Sequence, residues 1–296
     1  MNTSLIPQLC GWRTDAGHRV LAAGMPRFAS VASHLMTPHR DESPILLYKA
    51  WADQLGSYPA YVAQQIGDCV SFGHAHANDL LQCVEIGIGE ASEMQFTSTE
   101  ALYGMAREAA NMLGNEDGCY GSAAVKAMTT AGIVSRPMLG ADGEYSGKRA
   151  KEWGRTGAPQ AVKDLAAKYK LGAAALVKTW DELVAAITNG YPVTICTGSG
   201  FTMTRDRNGF CQMSGRWGHC MFIAGVRFDI PGACIVQSWG PNTPQGPCVL
   251  DQPDYSFWAD RRAIESILRE GDSWALSKAP TFKERANAKW TYGVAA

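Results

Sequence analysis

The stretch GDCVSFGHAHANDLL, Gly67 to Leu81, sets one cysteine directly ahead of a run with helical spacing. Phe72, Ala75, Leu80, Cys83 and Val84 approximate one apolar stripe of a helix that stops at Gly87 and Gly89, which puts Cys69 at the helix N-terminus. There, unpaired N–H groups and the positive end of the helix dipole favour a thiolate and depress the pKa of a cysteine. A buried cysteine is more often plain core packing. The rest of the chain therefore has to supply the partners that a reactive thiol needs.

With 296 residues and 46% hydrophobic content, the chain can bury a full core. Its 27 basic and 28 acidic residues nearly cancel, so no global field favours nucleic acid or an anionic membrane. The basic run Lys148, Arg149, Lys151, Arg155 lies among Gly and Glu residues and reads as a solvated loop. The first residues lack the basic and apolar regions of a standard secretion signal, and no segment approaches the ~18 apolar residues of a membrane span. Nine cysteines, an odd number with no CxxC pair, indicate neither a zinc site nor a disulfide framework. Free thiols in a reducing compartment are expected, with no metal or cofactor.

Residues 1–44 carry Pro7, Pro26, Pro38 and Pro44 and read as a loosely patterned arm. Helices fit Ser98–Met112, Ser122–Ala131, Val162–Tyr169 and Thr179–Asn189. Beyond them YPVTICTG, RWGHCMFIAGVRF and GACIVQSWG are short apolar runs rich in β-branched residues and separated by Gly and Pro, the texture of buried strands. Helices lead and strands follow, which is an α+β pattern. The expected division is an arm at 1–44, a helical half at 45–165, a β-rich half at 166–276 and a tail at 277–296.

Of six histidines only His219 lies in a strand-like segment, so it is the candidate to exchange a proton with Cys69. His74 and His76 share the helix of Cys69 and point away from its start. Gln237, in the next strand-like run, is placed to orient the imidazole, since an amide oxygen accepts a ring N–H as a carboxylate does. Cys220, Cys119, Cys196 and Cys234 read as buried apolar residues.

Cys69 and His219 stand 150 residues apart, inside the span of about 130–150 found in papain-type pairs. GDCVSFGHA resembles the Gly-x-Cys-Trp-Ala-Phe element of papain-like cysteine peptidases, with Val70 in place of the tryptophan and Phe72 retained. DGCYGSAAVKAMTTAGI resembles their Gly-Cys-x-Gly-Gly segment and following helix, NGYPVTICTG the strand that opens their β half, GHCMFIAGV their histidine strand, and QSWGP their Asn-Ser-Trp-Gly turn. The five elements keep the family's order from about Ile45 to Gly240.

The resemblance implies a helical left half and a β-barrel-like right half with the active site in the cleft between them. It implies Cys69 as nucleophile, His219 as general acid and base, Trp239 as a shield over the His219–Gln237 contact, and an upstream glutamine, Gln64 or Gln65 with Gln64 preferred, as oxyanion donor. Three departures accompany it: Gln237 replaces asparagine, the family's oxyanion glutamine aligns with Ala63, and the usual disulfide partner of Cys119 falls near Ile66. FWADRRAIESIL resembles a segment of papain-like proteins from phage genomes. Two functions follow: a peptidase or related amide hydrolase acting on polypeptides, or a non-catalytic scaffold, such as a viral-particle component, whose terminal arms contact other subunits. Acyl transfer to an amine would use the same residues as hydrolysis. The expected location is the cytoplasm or a viral particle.

Overall fold

The computed structural model describes residues 9–36, 43–91, 93–240, 242–285 and 290–291. The outer parts of both arms lie outside the described residues. Helices at Lys49–Leu55, Cys69–Gly87, Thr99–Ala109, Gly121–Thr130, Gly147–Thr156 and Gln160–Ala166 precede the first strand, and Trp180–Thr188 and Arg261–Arg269 lie among the strands. No described helix is long and apolar enough to cross a membrane.

Six strands, β1 (Ala173–Leu176), β2 (Val193–Phe201), β3 (Met213–Arg227), β4 (Gly232–Val236), β5 (Ser256–Asp260) and β6 (Ser273–Ser277), form one antiparallel sheet in the order β1-β6-β2-β3-β4-β5. The α+β, papain-like reading stands, its β-rich half being an open sheet among the described strands. Its edges are covered by chain instead of by each other. The arm's Pro26 carbonyl accepts from Leu176 N beside β1, and Gly209 and Cys211 exchange backbone bonds with Trp258 of β5. Such covers protect edge strands from pairing with other chains.

The helix Cys69–Gly87 is buried along nearly its whole length and packs against β3. Gly73 explains how close the two come: a Cβ there would lie 2.8 Å from Cys220 Sγ and 3.2 Å from the Met221 carbonyl oxygen. A helix buried all round must find partners for its polar side chains. Asp79 accepts from Thr97 N and Oγ1 at 2.9 and 2.7 Å, Gln82 exchanges two bonds with the Gln95 backbone, and Glu85 accepts from Arg285 at 3.1 Å. His74 Nδ1 faces the Val70 carbonyl at 2.8 Å and its Nε2 faces Thr194 Oγ1 of β2 at 3.1 Å.

Two segments depart from the sequence reading. The basic run is a helix, Gly147–Thr156, capped by Ser146. Its Ala150 and Trp153 are buried, and Arg149 donates to the fully buried Glu100 at 2.6 Å, so this charge serves packing and not a solvated loop. The arm also contains an eight-residue helix, Ala16–Ala23, capped by Asp15. Only His18 and Ala22 of it are buried while Val20 is exposed, so its apolar residues do not line one core-facing stripe.

Glu100 is the node of the 136–149 region: Arg136 and Arg149 pair with it and Ser146 N donates to it at 3.0 Å. Its removal leaves two guanidinium groups without their buried counter-charge. Glu100→Ala is expected to lower the unfolding free energy by about 3–5 kcal/mol in chemical denaturation, with Glu100→Gln costing less.

Candidate active site

Cys69 opens its helix and is fully buried. Its Sγ accepts from Gly11 N at 3.3 Å and lies 3.9 Å from the Gly218 carbonyl oxygen. Gly218 precedes His219 on β3, so helix start and histidine strand meet at this point, as the papain-like resemblance implies. Cys69 and His219 form no hydrogen bond. His219 is buried with both ring nitrogens lacking hydrogen-bond partners among the described residues. Its ring lies against Trp239, centroids 4.5 Å apart with planes at 31°, and Trp217 meets Trp239 edge-on at 4.8 Å.

The orienting amide expected beside His219 is used elsewhere. Gln237 Oε1 accepts from Trp239 N at 2.6 Å and its Nε2 donates to the Asn242 carbonyl at 3.2 Å. The extra methylene lets the side chain fold back onto its own turn, fixing Trp239 instead of the imidazole. Gln64 is aimed into the cleft: Nε2 donates to the Leu9 and Ile66 carbonyls at 2.6 and 2.9 Å, while Oε1 accepts from Ser238 Oγ at 2.5 Å. Gln65 lies outside this arrangement, with Oε1 accepting from Gly147 N at 3.2 Å.

What fills the cleft is the chain's own arm. Residues 9–13 cross it through Leu9 O on Gln64, Gly11 N on Cys69 Sγ, Gly11 O on Cys119 N at 2.8 Å, Trp12 N on Gly218 O at 2.7 Å and Arg13 N on Cys119 O at 3.0 Å. Trp12 and Cys119 form a parallel bridge. Gly11 is required by the close approach: a Cβ there would lie 1.8 Å from the Gly67 carbonyl oxygen. Gly218 makes room from the other side, where a Cβ would stand 2.9 Å from the Trp12 carbonyl oxygen. The Trp12 indole donates to the buried Asp272 at 2.8 Å.

Burial overrides the helix N-terminus. It pushes the Cys69 thiol well above the usual cysteine range, against the opposing hydrogen bonds from backbone N–H groups, and pushes His219 down to about 3. The pair in this state is a thiol and a neutral imidazole. The depressed cysteine pKa expected from helix position alone is thus reversed by desolvation. Behind Cys69, Cys220 Sγ lies 3.8 Å from His74 Nδ1, and contact with Cys196 and His74 holds Cys220 down to about 7 despite its burial. All nine cysteines are free.

The sequence reading passed over Gly11, Trp12 and Asp272. The available signal was Gly-Trp inside a proline-bearing arm without regular periodicity; Asp272 has none, because only the tertiary fold brings it to the cleft. A cavity of about 490 Å³ lined by Asn78, Gln82, Thr97, Ser135, Lys168 and Lys278 shares no residue with this site. The cleft itself is occupied.

No family model matches the sequence, and no curated protein does either. Among solved structures the chain is similar to xylellain, a cysteine protease from Xylella fastidiosa, at 17% identity and a TM-score of 0.59 over 92% of this chain and 96% of that one. It is similar to the proform of the ragweed pollen cysteine protease Amb a 11, at 16% identity and 0.59 over 91% and 76%. Procathepsin B S9 from Trypanosoma congolense follows, at 11% identity and 0.61 over 92% and 86%. The chain has the papain-like cysteine-protease fold.

Burial orders the thiols. Iodoacetamide at pH 7 is expected to modify the exposed Cys248 of the intact protein first, with Cys69 as slow as Cys83. Peptide mass spectrometry over a time course gives the order, and early Cys69 modification would show that the arm leaves the cleft readily.

Proposed function

We propose that the protein is a papain-like cysteine peptidase, or related amide hydrolase, held in a self-blocked state by residues 9–13. The observation that carries this reading is Gly11 N on Cys69 Sγ with the Leu9 carbonyl on Gln64 Nε2. A polypeptide backbone already lies across the thiol, with a carbonyl bound by the amide that would meet an oxyanion. Two of the three similar structures are proforms by their own titles. A substrate replacing the arm would present a carbonyl carbon to Cys69. The thiol proton would pass to His219, the Cys69–carbon bond would form, and His219 would return the proton to the leaving nitrogen as the amide bond breaks. Water would then release the acyl group.

With the arm displaced, water reaches the thiol and imidazole, and the desolvation that separates their pKa values falls away. The helix N-terminus then acts unopposed on the thiolate. His219 must turn from its partnerless position toward Cys69, because nothing on Gln237 holds it. A second reading, a binding scaffold without turnover, is favoured by that same fact: Gln237 is committed to the Trp239 turn.

The variant Gly11→Val separates the two, since its side chain cannot fit against Gly67. In the enzyme reading it raises the rate of Cys69 labelling by a vinyl-sulfone peptide at least tenfold over wild type. Adding His219→Ala removes the gain. If Cys69 of Gly11→Val still reacts no faster than Cys83, while melting shows the body folded, the scaffold reading holds.

A further inference from the structure

We infer that Cys196 and Cys220 form an oxidation site, where a hydroperoxide converts the two thiols to one disulfide. The ground is the register of two strands and the hydrogen bonding of one buried histidine. Neither Cys69 nor a substrate enters the chemistry.

Cys196 of β2 and Cys220 of β3 are direct partners across an antiparallel ladder. The Cys196 N–H donates to the Asp272 carbonyl, on the β6 side, at 3.2 Å. Opposed residues of an antiparallel pair exchange both backbone bonds or neither, so this is a non-hydrogen-bonded pair, with Cα atoms about 4.5 Å apart. That separation falls within the range of about 4.4–6.8 Å that a disulfide spans without backbone movement. Directly opposed side chains leave the same face of the sheet. Two glycines mark that face: a Cβ on Gly121 would lie 2.8 Å from Cys196 Sγ, and one on Gly73 would lie 2.8 Å from Cys220 Sγ. Both thiols are free in this structure.

One of the two is set up to react. His74 Nδ1 lies 3.8 Å from Cys220 Sγ and 2.8 Å from the Val70 carbonyl oxygen, which only accepts, so Nδ1 carries a hydrogen. Thr194 Oγ1 donates to the Trp274 carbonyl at 3.4 Å and keeps a lone pair for an Nε2–H at 3.1 Å. Both ring nitrogens thus face acceptors, the surroundings of an imidazolium, and the adjacent sulfur is its counter-ion. Burial opposes charge here, yet the contact raises His74 and holds Cys220 down. The thiolate is the form that attacks oxidants.

The Cys220 thiolate attacks one oxygen of the hydroperoxide: the S–O bond forms as the O–O bond breaks, and the leaving oxygen takes the His74 proton. The Cys196 sulfur then displaces the oxygen of the sulfenic acid. The S–S bond forms, the S–O bond breaks, and the Cys196 proton departs with the oxygen as water. Two thiols lose two electrons and two protons, and hydrogen peroxide becomes two waters. The arm guards the approach, since Trp12 and Gly121 share Asp272 Oδ2 and the indole therefore lies beside the glycine that covers Cys196.

The test is oxidation of the full chain by hydrogen peroxide at pH 7.5, with Gly11→Val to unseat the arm. After alkylation in denaturant and digestion without reductant, mass spectrometry should recover Cys196 and Cys220 in one bridged peptide pair. His74→Gln should slow the bridge at least tenfold, and Cys69→Ala should leave its rate within about twofold. Four results overturn the inference: both thiols recovered alkylated after the exposed Cys248 is oxidised, Cys220 bridged to Cys69 or Cys119 instead, a rate unmoved by His74→Gln, or a bridge lost with Cys69. Where Gly11→Val fails to fold, the wild-type chain over a longer time course is read in the same way. Where His74→Gln fails to fold, Cys196→Ser decides. Without its resolving thiol, the Cys220 sulfenic acid should be captured by dimedone, and absence of that adduct refutes Cys220 as the attacking sulfur.

Discussion

Everything in this molecule is arranged around a helix that has no solvent face. Cys69–Gly87 carries His74, His76, Asn78, Asp79, Gln82 and Glu85 into the interior, and buried polar groups without partners are expensive. Each therefore recruits a distant segment. His74 reaches β2, Asp79 and Gln82 bind the strand-like turn before the Thr99–Ala109 helix, His76 stacks on Tyr61 at 3.5 Å, and Glu85 meets Arg285 near the C-terminus. The demands of one helix tie together both halves and the tail. They also fix where its first residue, Cys69, stands relative to β3.

The same residues show why the fold was legible and the site only partly so. Apolar periodicity and Gly-bounded strands are local properties, so the order of helices and strands could be read directly, as could the placement of Cys69 at a helix start. His219 on β3 and Trp239 over its ring followed from the order of motifs. Gln237 did not behave as its alignment with asparagine implies, because one methylene changes which acceptor and donor an amide reaches, and no spacing argument resolves that. The sense of the Cys69 shift was missed for a different reason: helix position is local, while desolvation depends on what covers the residue.

The arm was the least legible part. Its apolar residues, among them Trp12, Phe28 and Leu35, are separated by prolines and polar residues and carry no helical or strand period, yet all three are buried. They are ordered by the surface that receives them, and the glycines at 11 and 218 only make sense once the two backbones are seen side by side. Asp272 belongs to the same class. A single carboxylate that accepts from residues 260 and 151 positions away acquires its role only from the fold.

The covalent continuity of the arm with the body has a consequence of its own. Residues 9–13 are anchored downstream by the Ala16–Ala23 helix and by Arg27, which donates to Glu182 at 2.7 Å. A segment so tethered meets its cleft at an effective concentration in the millimolar range for short linkers, whatever the amount of protein present. Dilution does not empty the cleft, and a free peptide of equal intrinsic affinity at micromolar concentration competes for only a small fraction of molecules. Occupancy is therefore governed by the integrity of the tether: a single cut between Arg13 and Arg27 converts an intramolecular contact into a bimolecular one and turns a permanent occupant into a dilute one.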